Sequence, residues 1–263
     1  MMPAFSTESN AQGIEGLYVE PYYTAGAADY DSTAWIPLKP GTTTWRVFVD
    51  LAPGWKVQAL YGSETHPLVI ATTTQFFNDA LSDEARAEII DPKALTQGYA
   101  ILDSWLAMGC ASARHMAVPK PEDSDGSVFA DLKVGEALSN QSEDGYFGLK
   151  KADGLIAGMP VNVSRIGADL IPFQGRSGIS VFRVTNGALA VVEGVRGPTA
   201  SNFVLLGQFT TDGELTLELN LQLIRPDGVS EQYVARNPSG NEVLSEHLRW
   251  ESSQAQKKNA NNH

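Results

Sequence analysis

The chain reads as an all-β protein of antiparallel β-sandwich modules with one short helix. Three features carry that reading: a run of alternating leucines, a series of Asp-Gly and Asn-Gly pairs, and a single segment suited to a helix. Over 214–223, Leu215, Leu217, Leu219, Leu221 and Leu223 alternate with Glu214, Thr216, Glu218, Asn220 and Gln222. A period of two places one set on each face of an extended chain, so the leucines are buried and the polar set is wet. Asp-Gly or Asn-Gly begins at residues 125, 144, 153, 186, 212 and 227. Glycine accepts positive φ without a Cβ clash and Asn or Asp tolerates it, so the chain reverses tightly at such pairs. Four of the six follow residue 150, a spacing that suits an antiparallel meander better than helical crossovers.

Taken in chain order, 43–50 is a strand with Trp45, Val47 and Val49 on one face, and Pro53-Gly54 turns the chain into a second strand over 55–61. Segments 68–73 and 99–108 are further strands. The helix is 83–90, with Ser82 as N-cap and acidic residues in its first turn. Segments 179–184 and 188–195 flank Asn186-Gly187 as a hairpin. A three-residue loop over Thr211-Asp212-Gly213, with Gly213 left-handed, sets Phe209 against Leu215 and Leu205 against Leu219. A two-residue loop would set Phe209 against Thr216, so the longer loop is expected. Arg225-Pro226-Asp227-Gly228 suits the same geometry and brings Tyr233 opposite Leu221.

These elements divide into an amino-terminal sandwich-like module over 14–117, a polar connection over 118–154 rich in Pro, Gly, Ser and Asp, and a carboxyl-terminal meander over 155–250. Residues 1–13 and 251–263 read as flexible tails.

Composition excludes several functions. The 31 acidic and 19 basic residues give a net charge of −12, and the pI is near 4.7. A phosphate backbone would be repelled, so no nucleic-acid partner is expected. No apolar run approaches the roughly 18 to 20 residues that span a bilayer, so no membrane insertion is expected. With Cys110 as the one cysteine, neither an intrachain disulfide nor a thiolate metal cage can form. Residues 1–13 lack the basic start and apolar core of a secretory signal, which leaves another export route, a signal outside this sequence and intracellular residence all open.

No catalytic residues are assigned. His66, His115, His247 and His263 lie far apart without ligand spacing. His115 follows Cys110 closely enough to raise a Cys/His nucleophilic pair, which the bland reading as packing outweighs. Gly175-Arg176-Ser177-Gly178 departs from a serine elbow because its second glycine comes one residue early. Asp123 and Asp125, beside Glu122 and Gly126, offer hard oxygens for Ca²⁺ in a turn, although the bidentate Glu of an EF-hand is missing. Otherwise no cofactor is implied. Tyr22, Tyr23, Tyr30 and Trp35 read as loop aromatics able to stack on a sugar. Glu214 and Glu218 share the polar strand face, where a carboxylate pair could serve glycoside hydrolysis and a solvated surface is the simpler reading.

Thr44-Trp45-Arg46-Val47-Phe48-Val49-Asp50-Leu51-Ala52-Pro53-Gly54, Ala71-Thr72-Thr73-Thr74-Gln75-Phe76-Phe77-Asn78 and Leu102-Asp103-Ser104-Trp105-Leu106 resemble a β-rich module of large secreted proteins of Bacteroidetes. Gly197-Pro198-Thr199-Ala200, Thr210-Thr211-Asp212-Gly213, Leu217-Glu218-Leu219-Asn220 and Glu231-Gln232-Tyr233-Val234 resemble the partner pattern that follows it. The resemblance spans most of 15–240 and implies an extracellular or cell-surface location, often upstream of a carboxyl-terminal sorting domain, with no catalytic residues to carry over. The expected role is a non-catalytic structural or recognition module of adhesion type, with a protein or glycan partner. The alternatives are a self-associating subunit of an intracellular or particle assembly and a carbohydrate-active hydrolase.

Overall fold

The structure is a computed structural model that describes residues 12–30, 32, 37–79, 84–92, 94, 100–122, 154–175 and 177–253. Its strands are β1 (Ile14–Thr24), β2 (Thr43–Leu51), β3 (Lys56–Gly62), β4 (Leu68–Thr72), β5 (Trp105–Leu106), β6 (Cys110–Ser112), β7 (His115–Ala117), β8 (Leu155–Ala157) and β9 (Ser164–Ile166). They continue as β10 (Val181–Val184), β11 (Gly187–Val195), β12 (Phe203–Thr211), β13 (Leu215–Glu218), β14 (Leu221–Ile224), β15 (Ser230–Val234), β16 (Val243–Leu244) and β17 (Arg249–Glu251). The all-β class is as expected. Among the described residues in the body of the fold, helical structure is limited to short 3-10 turns such as Ala27–Asp29 and Ala87–Ile89.

Three sheets build the body, in the orders β1-β2-β12-β5, β10-β4-β13-β17 and β16-β15-β14-β3-β11-β9, and β6-β7-β8 forms a small fourth. Pairing is antiparallel except between β15 and β16. Each main sheet joins strands from both sides of the 118–154 connection: β2 pairs with β12, β3 with β11 and β14, and β4 with β10 and β13. The two successive modules of the sequence reading are therefore corrected to one interleaved body. Hydrophobic periodicity reports which face a strand buries and is silent on which distant strand it meets.

The leucine run is buried as expected, at 0 or 1% exposure for Leu215, Leu217, Leu219, Leu221 and Leu223. It is not one straight strand. β13 and β14 are a single passage bent at Leu219-Asn220, with its two halves in different sheets. Two neighbouring passages bend alongside it, β10 into β11 at Thr185-Asn186 and β3 into β4 across Ser63–Pro67. The registers Val184↔Leu68 and Gly187↔Gly62 flank one side of this crease, Glu218↔Val69 and Leu221↔Leu60 the other. A corner of this kind lets strands switch sheets and wrap a single core.

At the crease Asn220 is 2% exposed, contrary to the wet position that alternation assigns it. Its Nδ2 donates to His66 O at 2.9 Å and Tyr61 O at 3.4 Å, and its Oδ1 accepts the Ala235 N–H at 3.3 Å. The side chain supplies ladder bonds that a bent backbone cannot make.

Two expected hairpins are corrected for the same reason. β12 and β13 do not pair: Phe209 faces Trp45, Leu205 faces Phe48, and Leu215 faces Thr72. The link between them is an arch from one layer to the next, closed by Thr211 Oγ1 against Thr72 Oγ1 at 2.6 Å and Thr74 Oγ1 at 3.0 Å. Gly213 is absent from the positive-φ residues, and a Cβ there would lie 2.7 Å from the hydroxyls of Thr72, Thr73 and Thr74. Smallness, not handedness, is what this position requires. β10 and β11 likewise occupy different sheets, so Asn186-Gly187 marks the crease and not a hairpin. The 225–228 turn is as expected: Gly228 has φ of 88°, and Leu221 faces Tyr233.

Two other segments differ. Within 83–90 the described part is a 3-10 turn, because Ala85 O accepts the Leu106 N–H at 3.0 Å and Arg86 bridges Leu106; Ser82 lies outside the described residues. Within 99–108 only Trp105–Leu106 is a strand, and Ala100–Leu102 is a 3-10 turn.

The central strands β2 and β12 of the β1-β2-β12-β5 sheet are buried on both faces. Trp45, Val47, Val49, Val204, Leu206 and Phe209 enter the main core against the other two large sheets. Phe48, Leu205 and Trp105 enter a second core with Leu38, Phe77, Ile101, Leu102 and Cys110. The six-stranded sheet keeps its outer face in water, and that face carries the groove considered next.

Candidate functional site

Inward leucines dictate what the outer face presents. Leu221, Leu223 and Tyr233 point into the core, so the cross-strand pair Gln222↔Gln232 points outward. After Ala235 the chain leaves the sheet, turns through Gly240 and returns as the short parallel strand β16. The space between this excursion and β14-β15 is an open groove of about 620 Å³ lined by Gln222, Val229, Ser230, Glu231, Gln232, Ser239, Asn241, Glu242 and Val243. That volume lies within the roughly 300–1,000 Å³ of small-molecule sites.

Hydrogen bonds brace both walls. Ser239 donates its N–H at 2.7 Å and its hydroxyl at 2.9 Å to Glu242 Oε2, and His66 Nε2 faces the same oxygen at 3.0 Å from the buried side. Burial pushes the Glu242 carboxyl upward, but these Ser239 and His66 contacts outweigh it and hold the group below the usual carboxylate range. Behind it, burial and the nearby Glu242 charge push the Tyr61 phenol up to about 12. On the other wall Glu231 accepts from Arg225 Nη1 at 2.9 Å and from the Tyr233 hydroxyl at 3.0 Å. Gln222 Nε2 and Ser230 Oγ both donate to Gln58 Oε1 at 2.8 Å, while Gln58 Nε2 is spent on Val192 O at 2.9 Å.

Against this bracing, three polar ends have no side-chain partner among the described residues: the amides of Gln232 and Asn241, both exposed, and Oε1 of Gln222. Sequence reasoning treated Gln222 as solvated surface and missed the groove. The signal was present in the expected Leu221–Tyr233 register, which makes Gln222 and Gln232 an outward pair. The overhanging loop carrying Asn241 and Glu242 had no such signal.

The residues singled out in the sequence are dispersed. Tyr22 and Tyr23 lie on β1, not in loops, because β1 pairs with β2 along nearly its whole length. Tyr22 is 2% exposed with the Arg46 guanidinium 3.5 Å from its ring centroid, and Tyr23 donates to Asp29 Oδ2 at 2.6 Å. Neither ring is a free stacking surface, which corrects the aromatic platform; Tyr30 is 48% exposed. Trp35, Asp123 and Asp125 lie outside the described residues, and among those described no group of three or more His, Cys, Asp or Glu could hold a metal ion. Glu218 is bound to Arg236 at 2.8 Å. Cys110 is buried, and burial, with the Glu88 charge, pushes its thiol up to about 12. His115 Nδ1 meets Ser112 Oγ at 2.8 Å, and that hydroxyl is fully buried. Ser177 Oγ donates to Pro172 O at 3.1 Å as an ordinary loop bond.

A second polar cluster sits inside the β1-β2-β12-β5 sheet. Glu20 and Arg46 face each other across β1 and β2, 3% and 2% exposed. Arg46 Nε donates to Gln208 Oε1 at 3.1 Å, and Glu20 accepts the Lys120 N–H at 2.9 Å. Burial pushes the Glu20 carboxyl up more than Lys120 and Arg46 pull it down. This cluster ties the start of the connection to the sheet.

No family model matches the chain, and no curated protein or solved structure matches it.

Proposed function

We propose that this chain is a recognition module that binds a surface partner through the groove on the outer face of its six-stranded sheet, without covalent chemistry. The observation that carries the reading is the set of uncommitted amides at Gln232 and Asn241, held on a braced framework beside a groove of about 620 Å³. The bonded walls fix the backbone that carries these amides, so little backbone freedom is left to lose on binding. The state of Glu242 supports binding over hydrolysis. A glycosidase acid needs a carboxyl raised toward neutrality, and this one is held low by Ser239 and His66. The cell-surface setting rests on the sequence resemblance.

The test is retention of the labelled full chain on cell envelopes and extracellular polysaccharide, compared with Gln222→Arg and Gln232→Arg, alongside an assay for newly released reducing ends. Saturable retention lost in both variants, with no release, is expected. Retention unchanged by the variants removes the groove from the function, and steady release of reducing ends replaces binding with hydrolysis.

A further inference from the structure

We infer that the groove takes an uncharged polyhydroxylated ligand, an internal stretch of a neutral glycan chain. This deepens the recognition reading and rests on it. A sugar hydroxyl both donates and accepts, so a complementary surface must offer donors and acceptors together. A carboxamide does so, with two N–H donors and a carbonyl acceptor. The two free amides, Gln232 and Asn241, and the acceptor left on Gln222 provide that mixture within one groove.

The charges in the lining point the same way. Glu231 is matched by Arg225 at 2.9 Å and by the Tyr233 hydroxyl, while Glu242 is matched by Ser239 and His66. Both carboxylates have their strongest partners within the protein, so a cationic peptide gains little by replacing them. Among the described residues no Lys or Arg lines the groove, and the chain carries a net charge of −12, so phosphate, sulfate and uronate ligands are repelled. Val229 and Val243 are the apolar lining residues, too little surface to hold an apolar helix yet suited to the C–H face of a sugar ring. The groove is open to solvent and not a closed pocket, which fits a continuing chain better than a single terminal residue.

The experiment titrates the ¹⁵N-labelled full chain with hexamers of β-1,4-glucose, β-1,4-xylose and N-acetylglucosamine. Oligogalacturonate, a glucosamine hexamer and oligolysine serve as charged probes. Saturable amide shifts confined to residues 222, 230–232 and 239–243 with at least one neutral hexamer are expected. Gln232→Leu and Asn241→Leu should each weaken that binding about two- to tenfold, the range for losing one hydrogen bond. Their thermal midpoints should match the parent chain, because both side chains are exposed and unpartnered among the described residues. Shifts at these amides with charged probes alone would overturn the neutral-glycan assignment while leaving recognition at the groove intact. Silence at these amides with every probe, while envelope retention still depends on Gln222 and Gln232, would overturn the glycan class. Silence together with retention indifferent to those residues would overturn both.

Discussion

Replacing Asn220 with alanine should be among the most damaging single polar changes in the protein, although the sequence makes it look equivalent to Gln222. Both are polar members of the alternating run, two positions apart. Asn220 is 2% exposed and makes three side-chain hydrogen bonds, to His66 O, to Tyr61 O and from Ala235 N–H. Truncation removes bonds worth roughly 1 kcal/mol each and leaves buried partners whose desolvation costs about 1–3 kcal/mol apiece. The Tyr61 bond is long, and a carbonyl tolerates one empty lone pair better than a buried N–H tolerates none. A total near 3–5 kcal/mol follows from those ranges, a large share of the ~5–15 kcal/mol that holds a domain together. Urea titration followed by tryptophan fluorescence should show a lower midpoint at unchanged slope. The melting temperature should fall by roughly 6–20 °C, at about 2–4 °C per kcal/mol. Gln222→Ala, on the open groove, removes one part-buried hydrogen bond, to Gln58, and should cost only about 0.5–1.5 kcal/mol. If Asn220→Ala costs under ~1 kcal/mol, or if the two variants are alike, the crease is not held by this side chain and the argument for it fails.

The remaining predictions use other parts of the structure. Burial raises the Glu20 carboxyl in the folded state, so the folded chain binds its proton more tightly than the unfolded one, and this group's contribution to stability is lost as pH rises through the folded value. Glu20→Gln should therefore gain on the parent between about pH 3 and about pH 7 in urea titrations, one below and the other above the usual glutamate value near 4.3; a gap that narrows on raising pH would refute the sign. Gly213→Ala and Gly228→Ala should both destabilise, for different reasons. The first drives a Cβ to 2.7 Å from three threonine hydroxyls at a cost of about 1–3 kcal/mol. The second forces alanine to φ of 88° with nothing within 4 Å, at about 1–2 kcal/mol. At Gly228, where φ is positive, a D-alanine introduced by semisynthesis should restore stability. Finally, Cys110 should resist iodoacetamide at neutral pH in the native chain and react readily in urea, as read by mass shift, because burial pushes its thiol up to about 12. Rapid labelling without denaturant would show that this core opens.

Much of the strand content was legible because burial imposes a period of two. Trp45, Val47 and Val49 share the main core, and the 225–228 turn sets Tyr233 against Leu221, both readable from local pattern. Tyr22 shows where such reading stops. On a strand carrying Pro21 and alternating no clear apolar set, it is buried, with Arg46 and the sequence-distant Lys120 over its ring. The Gln222–Gln232 pair was half legible, since register implies it, but only the folded loop through Ser239 and Glu242 turns that pair into a groove.

Local sequence by itself determined that this chain is extended, acidic and turn-punctuated, and it determined which side chains water does not touch along the leucine run. Those properties follow from pleat geometry and from the cost of hydrating apolar surface, both of which act over a few residues. Strand partners, the crease through Asn220, the interleaving of both halves and the groove itself were decided only by tertiary structure. An alternating strand satisfies its burial against any suitable apolar layer, so the choice among layers is made by the packing of the whole chain.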